Sequence, residues 1–270
     1  MARIITLTTD FGLADEYVGV IKGVILSRAP AAAIIDLNHN IERHNISQAA
    51  LLIRSAYRFF PEGTIHLIVV DPGVGSSRRL ILLQSDSHFF LAPDNGVLGP
   101  LLDSGIFQAA YELQCEQYYL TPVSSTFHGR DIMAPVAAEL AAGLDPAAVG
   151  SEAPPSTLRK IKFAAETIDR GQGRISGEIV GIDHFGNLLT NISGSSLHDL
   201  YAGEESRVHI MVKDRVVTGI QTAYTSREPG QILAIVGSRG FLEIAVNQGE
   251  AANLLGAVIG DEVIIAKGKR

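Results

Sequence analysis

The sequence contains no tryptophan, only one cysteine, and no apolar run long enough to cross a membrane. Cys115 has no partner for a disulfide or a metal motif, so we expect it to be a small packing residue. The uninterrupted apolar runs, such as 67–70 after His66, are far shorter than the roughly 20 residues that a membrane helix requires. The chain begins with a strand-like run that ends at Thr6 and shows no signal-peptide pattern. We therefore expect no membrane contact and a cytoplasmic location.

Basic side chains are also few: 22 Lys and Arg residues stand against 29 Asp and Glu residues, and the net charge is −7. A surface that binds nucleic acid needs clustered Lys and Arg, and the only basic cluster here is the terminal segment 267–270. The composition therefore argues against a nucleic-acid partner. With 46% hydrophobic residues, the 270-residue chain is long enough for two domains.

The first part of the chain alternates short β-branched runs with helical patterns, which is typical of an α/β domain. We expect a central, largely parallel sheet flanked by helices, in an N-terminal domain at 1–155. The strands 80–83 and 88–91 are expected to pair through the short turn between them. The other predicted strands are 3–9, 33–37 and 65–70, and the predicted helices are 15–29, 45–60 and 132–142.

A proline- and serine-rich segment at 151–156 marks a change in composition and a predicted domain boundary. We assign 156–172 to a linker and 173–270 to a smaller all-β C-terminal domain. Short, closely spaced strands without a long helix are typical of a small barrel or sandwich, so this domain is expected to be barrel-like. Its predicted strands are 174–181, 188–192, 208–212, 216–220, 232–236, 241–246 and 263–266.

The loop 69–79 follows a predicted strand and combines charge with glycine and proline. Pro72 biases Asp71 toward an extended conformation, and the glycines of the loop permit a close backbone approach. We expect Asp71 at the carboxyl end of a strand, where open α/β sheets bind ligands, with Arg78 folded back toward it. A structural turn closed by an ion pair is the alternative that this stretch leaves open.

Other polar side chains also lie at the ends of predicted elements. Asp10 follows the first strand, and Asp15 precedes the first helix, where it is also a candidate helix cap. His128 lies just before a helix N-terminus, a position that favours an anion or a neutral imidazole. In the second domain, two loops combine groups that can contact a nucleoside. These groups are Asp183, Phe185, Asn187, Ser238 and Arg239.

Three functions fit these residues without reference to any known protein. The first is a metal-dependent hydrolase, although no paired-histidine motif occurs. The second is a metal-free enzyme that activates water with the side chains of Asp71, Arg78 and His128. The third is a small-molecule-binding regulator that performs no chemistry. The candidate metal ligands would be Asp10, Asp71, Asp94, His128 and Asp131.

Six short motifs are spread in order across both domains: TTDFG at 8–12, VDPGVG at 70–75, APDNG at 92–96, FHGRD at 127–131, DHFGN at 183–187 and SRG at 238–240. Together they resemble the motifs of the S-adenosyl-L-methionine hydroxide adenosyltransferases, which are relatives of the fluorinase and chlorinase. The resemblance implies hydrolysis of S-adenosyl-L-methionine to adenosine and L-methionine, without a cofactor or a metal. It also implies a homotrimer, with each site between the N-terminal domain of one subunit and the C-terminal domain of its neighbour.

When the family's catalytic residues are matched to this sequence by position, the resemblance implies that they are Asp71, Arg78 and His128. Arg79 is the neighbouring alternative to Arg78. Asp10 matches the residue that holds the ribose hydroxyls. The other implied contacts are Asp15 and Asp183 with the methionine ammonium, Ser238 and Arg239 with its carboxylate, and Phe185 and Asn187 with adenine. Tyr17 stands where the fluorinase has a serine, and Tyr224 is a candidate aromatic over the purine.

The implied reaction is in-line attack of an activated water on the 5′ carbon of the ribose. Because the positively charged sulfonium becomes a neutral thioether when it departs, the leaving group needs no general acid or metal ion to assist it. The reaction needs only an oriented water. Halide-using relatives lack the set of Asp, Arg and His that falls here on Asp71, Arg78 and His128. The fluorinase also carries an insertion in the first domain, whereas the turn 85–87 is short in this sequence. We therefore expect water as the nucleophile. A chlorinase-like halide reaction and a non-catalytic regulator are the alternatives.

Overall fold

The structure is a computed structural model that describes residues 3–268. The first two residues and the last two residues of the basic terminal segment lie outside this range. The chain divides after Lys162 into two compact units. The domain and linker limits expected from the sequence, 1–155, 156–172 and 173–270, stay predictions. In the part of the chain that is described, no helix is long and apolar enough to cross a membrane.

The first unit is an α/β structure, as the alternation of sequence patterns predicts. Its strands are β1 (Ile4–Thr9), β2 (Ala33–Asn38), β3 (Thr64–Val69), β4 (Leu80–Ser85), β5 (His88–Pro93) and β6 (Phe107–Glu112). Its helices are α1 (Tyr17–Arg28), α2 (Ile46–Ala56), α3 (Gly99–Asp103) and α4 (Ala134–Ala142), the last preceded by a π-helical turn at Gly129–Met133.

The six strands form one sheet in the order β2-β1-β3-β5-β4-β6. The pairs β1–β2, β1–β3 and β3–β5 are parallel, whereas β4 is antiparallel to both β5 and β6. The sheet is therefore mixed, which corrects the expectation of a largely parallel sheet. The cause is the predicted pairing of 80–83 with 88–91: the two-residue turn between β4 and β5 closes a hairpin, and a hairpin imposes antiparallel pairing.

Two helices of the first unit pack against each other over this sheet. Ile21 and Ile25 of α1 and Val136 of α4 are fully buried in the same apolar cluster as the β1 and β3 side chains. α4 ends at Gly143, which has φ +107° and terminates the helix as predicted. Cys115 is half-buried and makes no disulfide. The packing places the segment before α4 next to the end of β3.

The second unit consists mainly of short strands. They are β7 (Thr167–Asp169), β8 (Arg174–Ile182), β9 (Leu188–Ser193), β10 (Val208–Val212), β11 (Arg215–Thr218), β12 (Ile220–Gln221), β13 (Ile232–Val236), β14 (Phe241–Val246) and β15 (Glu262–Lys267). Two short helices, α5 (Gly194–Tyr201) and α6 (Ala251–Leu255), are also present.

These strands form a barrel-like sheet in the order β11-β10-β15-β8-β9-β14-β13-β12, with β7 paired to β8. All pairs are antiparallel except β12–β13. The expectation of an all-β domain is corrected by the two helices, which are too short to leave a clear periodic pattern. Its apolar core includes Ile175, Leu188, Val208 and Ile244, all fully buried.

Candidate active site

Charged side chains collect at one edge of the first-unit sheet. The strands β1, β3 and β5 end at this edge, and β4, which runs in the opposite direction, begins there. Asp10, Asp71 and Asp94 follow the three strand ends, while Arg78 and Arg79 precede β4. The sheet therefore brings together loops that are far apart in the sequence, at the edge where open α/β sheets bind ligands.

Asp71, Arg78 and His128 form one hydrogen-bonded chain. Arg78 Nε donates to both carboxylate oxygens of Asp71 at 2.8 Å, and Arg78 Nη2 donates to Asp71 Oδ2 as well. Arg78 Nη1 lies 3.0 Å from His128 Nδ1. The side chains of Arg78 and Asp71 are 8% and 7% exposed. The ion pair is thus largely buried. Charge-assisted hydrogen bonds are stronger in such an environment than in water.

The guanidinium of Arg78 determines which nitrogen of His128 carries the proton. A guanidinium has no acceptor, so it must donate to the lone pair of Nδ1. In a neutral imidazole the proton then lies on Nε2, which becomes a donor. Burial and the charge of Arg78 lower the pKa of His128 below its usual 6.5, although Asp71 and Asp131 act in the opposite direction. His128 is therefore a neutral side chain that offers an N–H at Nε2.

Two glycines allow the segment around His128 to approach the loop of Asp71. Gly75 has φ +80°, and a Cβ atom there would lie 2.4 Å from the carbonyl oxygen of Ser125. A Cβ atom at Gly129 would lie 2.8 Å from Val69 Cγ1 at the end of β3. A larger residue at Gly75 would collide with the Ser125 backbone, and one at Gly129 would force the Val69 side chain to shift, so glycine at both positions permits the close approach of the two segments.

Arg79 contacts a different carboxylate from Arg78. Its Nε and Nη2 donate to Asp94 Oδ2 at 3.0 and 2.6 Å, and Nη2 also donates to the carbonyl oxygen of Thr157 at 2.7 Å. Asp94 Oδ1 accepts the backbone N–H of Arg159 at 2.8 Å. This ion pair holds the loop after β5 against the segment 157–159. Of the two arginines, Arg78 is the one that joins Asp71 and His128.

Three of the candidate metal ligands are carboxylates bound by guanidinium groups. Asp131 accepts from Arg130 Nε at 2.6 Å and Arg130 Nη2 at 2.9 Å, and from the backbone N–H of Ser124 at 2.8 Å. Burial raises the pKa of Asp131, but these hydrogen bonds outweigh it and lower the pKa. Asp71 and Asp94 are bound to arginines in the same way. Within residues 3–268, no three His, Cys, Asp or Glu side chains are arranged to hold a metal ion.

Asp10 and Asp15 lie in different environments. Asp10 Oδ2 accepts the backbone N–H of His44 at 2.9 Å, which connects the loop after β1 to the segment before α2. Asp15 is exposed in the bend before α1. The N-cap position of α1 is Glu16, so the alternative of Asp15 as the helix cap was wrong.

An aromatic cluster that sequence reasoning missed lies beside these loops. The rings of Phe11, Tyr17 and Phe127 contact one another, with centroids between 5.4 and 5.8 Å apart. The Arg130 guanidinium lies 5.1 Å from the centre of the Phe127 ring. The cluster connects the loop after β1 to the segment of His128. No sequence spacing relates these rings, so only the fold reveals the cluster.

A cavity of about 300 Å³ adjoins the ion pair of the first unit. Arg78, Arg79 and His128 line one part of it, and Glu112, Glu116 and Tyr119 line another. Burial, together with the nearby Glu116, Cys115 and Glu112, raises the pKa of Tyr119 to about 12. A polar cavity of this size has room for several waters next to His128, since each occupies about 30 Å³ in the liquid.

In the second unit, the loop 183–187 is built around Asp183. Its Oδ1 accepts the backbone N–H groups of Phe185 and Asn187, each at 2.9 Å, and its Oδ2 accepts Asn187 Nδ2 at 3.0 Å. Asn187 is buried, whereas the Phe185 ring is 71% exposed. The loop therefore presents a flat apolar ring for stacking. With its amide nitrogen bound to Asp183, Asn187 offers Oδ1 as an acceptor.

The turn 237–240 between β13 and β14 carries Ser238 and Arg239, both exposed. On β14, Glu243 is only 6% exposed, and Tyr224 Oη donates to its Oε2 at 3.2 Å. The pKa of Glu243 is raised, mainly by burial and further by the negative charge of Asp183. The Tyr224 hydrogen bond and the positive charge of Arg239 lower it in part. Sequence reasoning did not identify Glu243. Its one signal is a charged residue within the apolar run 241–246.

Comparison with known proteins gives a consistent result over both units. Family profiles described as the SAM hydroxide adenosyltransferase N-terminal and C-terminal domains match residues 5–150 and 177–264. A protein of Salinispora tropica named (R)-S-adenosyl-L-methionine hydrolase is 38% identical over 98% of both chains. A fluorinase of Actinoplanes sp. is 28% identical over 90% of this chain and 91% of its own. The crystal structure of an uncharacterized conserved protein from Thermotoga maritima matches with a TM-score of 0.91 and 35% identity, covering 97% of this chain and 100% of that one.

Proposed function

The chain belongs to the SAM hydroxide adenosyltransferase family, and on that premise we propose that it hydrolyses S-adenosyl-L-methionine to adenosine and L-methionine. The observation that carries the proposal is the hydrogen-bonded chain of Asp71, Arg78 and His128 at the edge where open α/β sheets bind ligands. This arrangement supplies positive charge and an N–H donor beside a cavity that has room for water. These are the groups that a hydroxide nucleophile requires.

The chemistry consists of one displacement. The oxygen of water forms a bond to the 5′ carbon of the ribose, the bond from that carbon to sulfur breaks, and its electron pair stays on the sulfur of methionine. One proton from the water is released to solvent. Because the sulfonium becomes a neutral thioether, the leaving group needs no protonation, and the protein contributes mainly orientation and electrostatic stabilisation of the nucleophile.

We infer different roles for the three catalytic side chains from their hydrogen bonds. Asp71 holds Arg78 through both carboxylate oxygens, and Arg78 in turn binds Nδ1 of His128. His128 then donates from Nε2 to the oxygen of the attacking hydroxide. In this arrangement none of the three accepts the proton of water. The proton leaves through the adjoining cavity, which Glu112 and Glu116 also line.

We further propose the substrate contacts that the motif resemblance implies. Asp10 binds the ribose hydroxyls, Phe185 stacks on adenine, and Asn187 Oδ1 accepts from the adenine amino group. The zwitterionic methionine end is held by Asp15 and Asp183 at its ammonium and by Ser238 and Arg239 at its carboxylate.

The proposed assembly is a homotrimer with the sites at subunit interfaces, and no nucleic acid or membrane takes part. The proposed location is the cytoplasm, and the proposed chemistry uses no cofactor or metal.

The deciding experiment incubates the purified full-length protein with S-adenosyl-L-methionine and separates the products by chromatography. We expect adenosine and L-methionine in equal amounts, with unchanged yield in the presence of a chelator. In ¹⁸O-labelled water, the label should appear in the 5′ hydroxyl of adenosine. Size-exclusion chromatography with light scattering on the same sample measures whether the protein is trimeric.

Each alternative has its own outcome in this assay. Activity that is lost with chelator and restored by a divalent ion would favour the metal-dependent hydrolase. A 5′-halogenated product in added chloride or fluoride would favour the halide reaction of the more distant relatives. Tight binding of S-adenosyl-L-methionine without any product over hours would favour the regulator.

A further inference from the structure

Glu243 is a buried acid on β14 to which the implied substrate contacts assign no role. Its side chain is 6% exposed, and its strand neighbours Leu242 and Ile244 are fully buried. Tyr224 Oη donates a hydrogen bond to it at 3.2 Å. Burying a carboxylate is costly unless cations and hydrogen bonds compensate for the lost water. One hydrogen bond from a phenol compensates little, so the position of Glu243 requires an explanation other than stability.

Glu243 lies beneath the turn that carries Arg239. A Cβ atom at Gly237 would lie 2.0 Å from Glu243 Oε1, so glycine at this position leaves space for the carboxyl. Tyr224 contacts the carboxyl through its hydrogen bond, and the charges of Arg239 and Asp183, on two other segments, act on its pKa in opposite directions. The two loops of the second unit that carry the implied methionine contacts therefore share one buried acid.

We propose that Glu243 is a positioning residue for the methionine end of the substrate, because its charge holds the Arg239 guanidinium over the site. The inference rests on the proposed function, which supplies the ligand. Arg239 is exposed on a turn and must lose side-chain freedom when it binds a carboxylate. A fixed negative charge beneath the turn favours the conformations in which the guanidinium is already close to its bound position. In the complex, Arg239 lies between the carboxylates of Glu243 and methionine.

A role in positioning predicts a different stability effect from a structural role. The pKa of Glu243 is raised in the folded protein, so its ionised form is less favourable there than in the unfolded chain. Its contribution to stability is therefore greatest at low pH and is lost as the pH rises through the raised pKa. Glutamine keeps an oxygen that accepts from Tyr224 but removes the charge. Glu243→Gln should then be at least as stable as the wild type at neutral pH.

The test compares the full-length wild type with Glu243→Gln. We expect the variant to show a KM for S-adenosyl-L-methionine about tenfold higher, with kcat within about threefold. By calorimetry, L-methionine should bind more weakly, while adenosine binding stays unchanged. The thermal midpoint should not fall. The matched control is Glu178→Gln, which neutralises a half-buried acid on β8 of the same unit and should alter none of these quantities.

A pH series gives a second readout. The wild-type KM should rise as the pH falls through the raised pKa of Glu243, because protonation removes the attraction to Arg239, whereas the variant should start at the higher KM and lack this step. An unchanged KM, or a raised KM with a lowered thermal midpoint, would overturn the inference. If the wild type produces no adenosine, the proposed function fails separately. In that case the Kd of the wild type and of Glu243→Gln for S-adenosyl-L-methionine, both measured by calorimetry, still tests the role of Glu243: weaker binding by the variant supports it, and equal binding contradicts it.

Discussion

The charged groups of the first unit are paired directly, whereas those of the second unit lie on exposed loops around one buried acid. Asp71 and Arg78 are joined by several hydrogen bonds, and their side chains are almost fully buried. In the second unit, Phe185 and Arg239 are exposed, and Glu243 interacts with Arg239 through charge. The first arrangement is held by direct hydrogen bonds between buried charged groups, and the second presents exposed side chains to solvent.

The two arrangements suit different steps of the proposed reaction. A nucleophile is stabilised best by groups that are already in place, because no reorganisation is then needed in the transition state. Binding loops can adjust as the ligand arrives, at a cost in affinity. Substitutions of Asp71, Arg78 or His128 should therefore lower kcat, and substitutions in the exposed loops of the second unit should raise KM. Four substitutions and one pH series test that division.

Arg78→Ala should cause the largest loss. It removes the group that connects Asp71 to His128, so we expect kcat to fall by about 100-fold or more, with KM within about threefold. Steady-state kinetics of the purified variant measure both quantities, and circular dichroism checks its fold. The substitution leaves the Asp71 carboxylate buried without its partner, which can destabilise the fold. The double variant Asp71→Asn/Arg78→Gln removes both charges, and its kcat and KM provide a second measurement.

Arg79→Ala is the matched control for Arg78. It removes the neighbouring arginine, which holds Asp94 and the segment 157–159. We expect a lower thermal midpoint and a kcat within about tenfold of the wild type, because the groups next to the nucleophile remain in place. A larger loss of kcat in this variant than in Arg78→Ala would reverse the assignment of the two arginines.

The pH dependence of kcat tests the role of His128. Its pKa is lowered below 6.5 by burial and by Arg78, so the imidazole stays neutral at every higher pH and its titration cannot affect the rate there. If hydroxide is the nucleophile and no side chain accepts the proton, kcat should rise about tenfold per pH unit above 6.5 until chemistry no longer limits the rate. A rate that is flat above pH 6.5 would instead indicate that His128 acts as a general base.

Phe185→Ala should produce the smallest effect, and only on binding. The ring is 71% exposed, so its removal should leave the thermal midpoint unchanged. Loss of stacking on the purine should raise KM and the Kd for adenosine by about tenfold. Calorimetry with adenosine gives the second value directly.

The control for this substitution is His184→Ala, which changes the exposed neighbouring ring. It should alter neither quantity. A large fall in kcat in Phe185→Ala would contradict the division between the two units, since it would place a second-unit side chain in the chemical step.

Much of the fold could be predicted from local patterns. The predicted strands 65–70, 232–236 and 241–246 correspond to β3, β13 and β14, because short, mainly apolar runs between turn residues define strands without tertiary information. The predicted strand 216–220 is divided in the structure at Gly219, which has φ +75° and approaches the carbonyl oxygen of Ser206. A contact of that kind depends on a distant segment and leaves no local signal.

Local sequence is sufficient to predict which reactive groups are present and on which loops they lie, because turn chemistry and strand ends depend on adjacent residues. That Arg78 rather than Arg79 contacts both Asp71 and His128 depends on how distant segments pack together. Neighbouring side chains at the start of a strand point in opposite directions, so the choice between them depends on what lies on each side. His128 is 50 residues away from Arg78 and reaches it through the packing of α4. The same holds for Glu243, whose position between two loops follows from the order of strands in the second sheet.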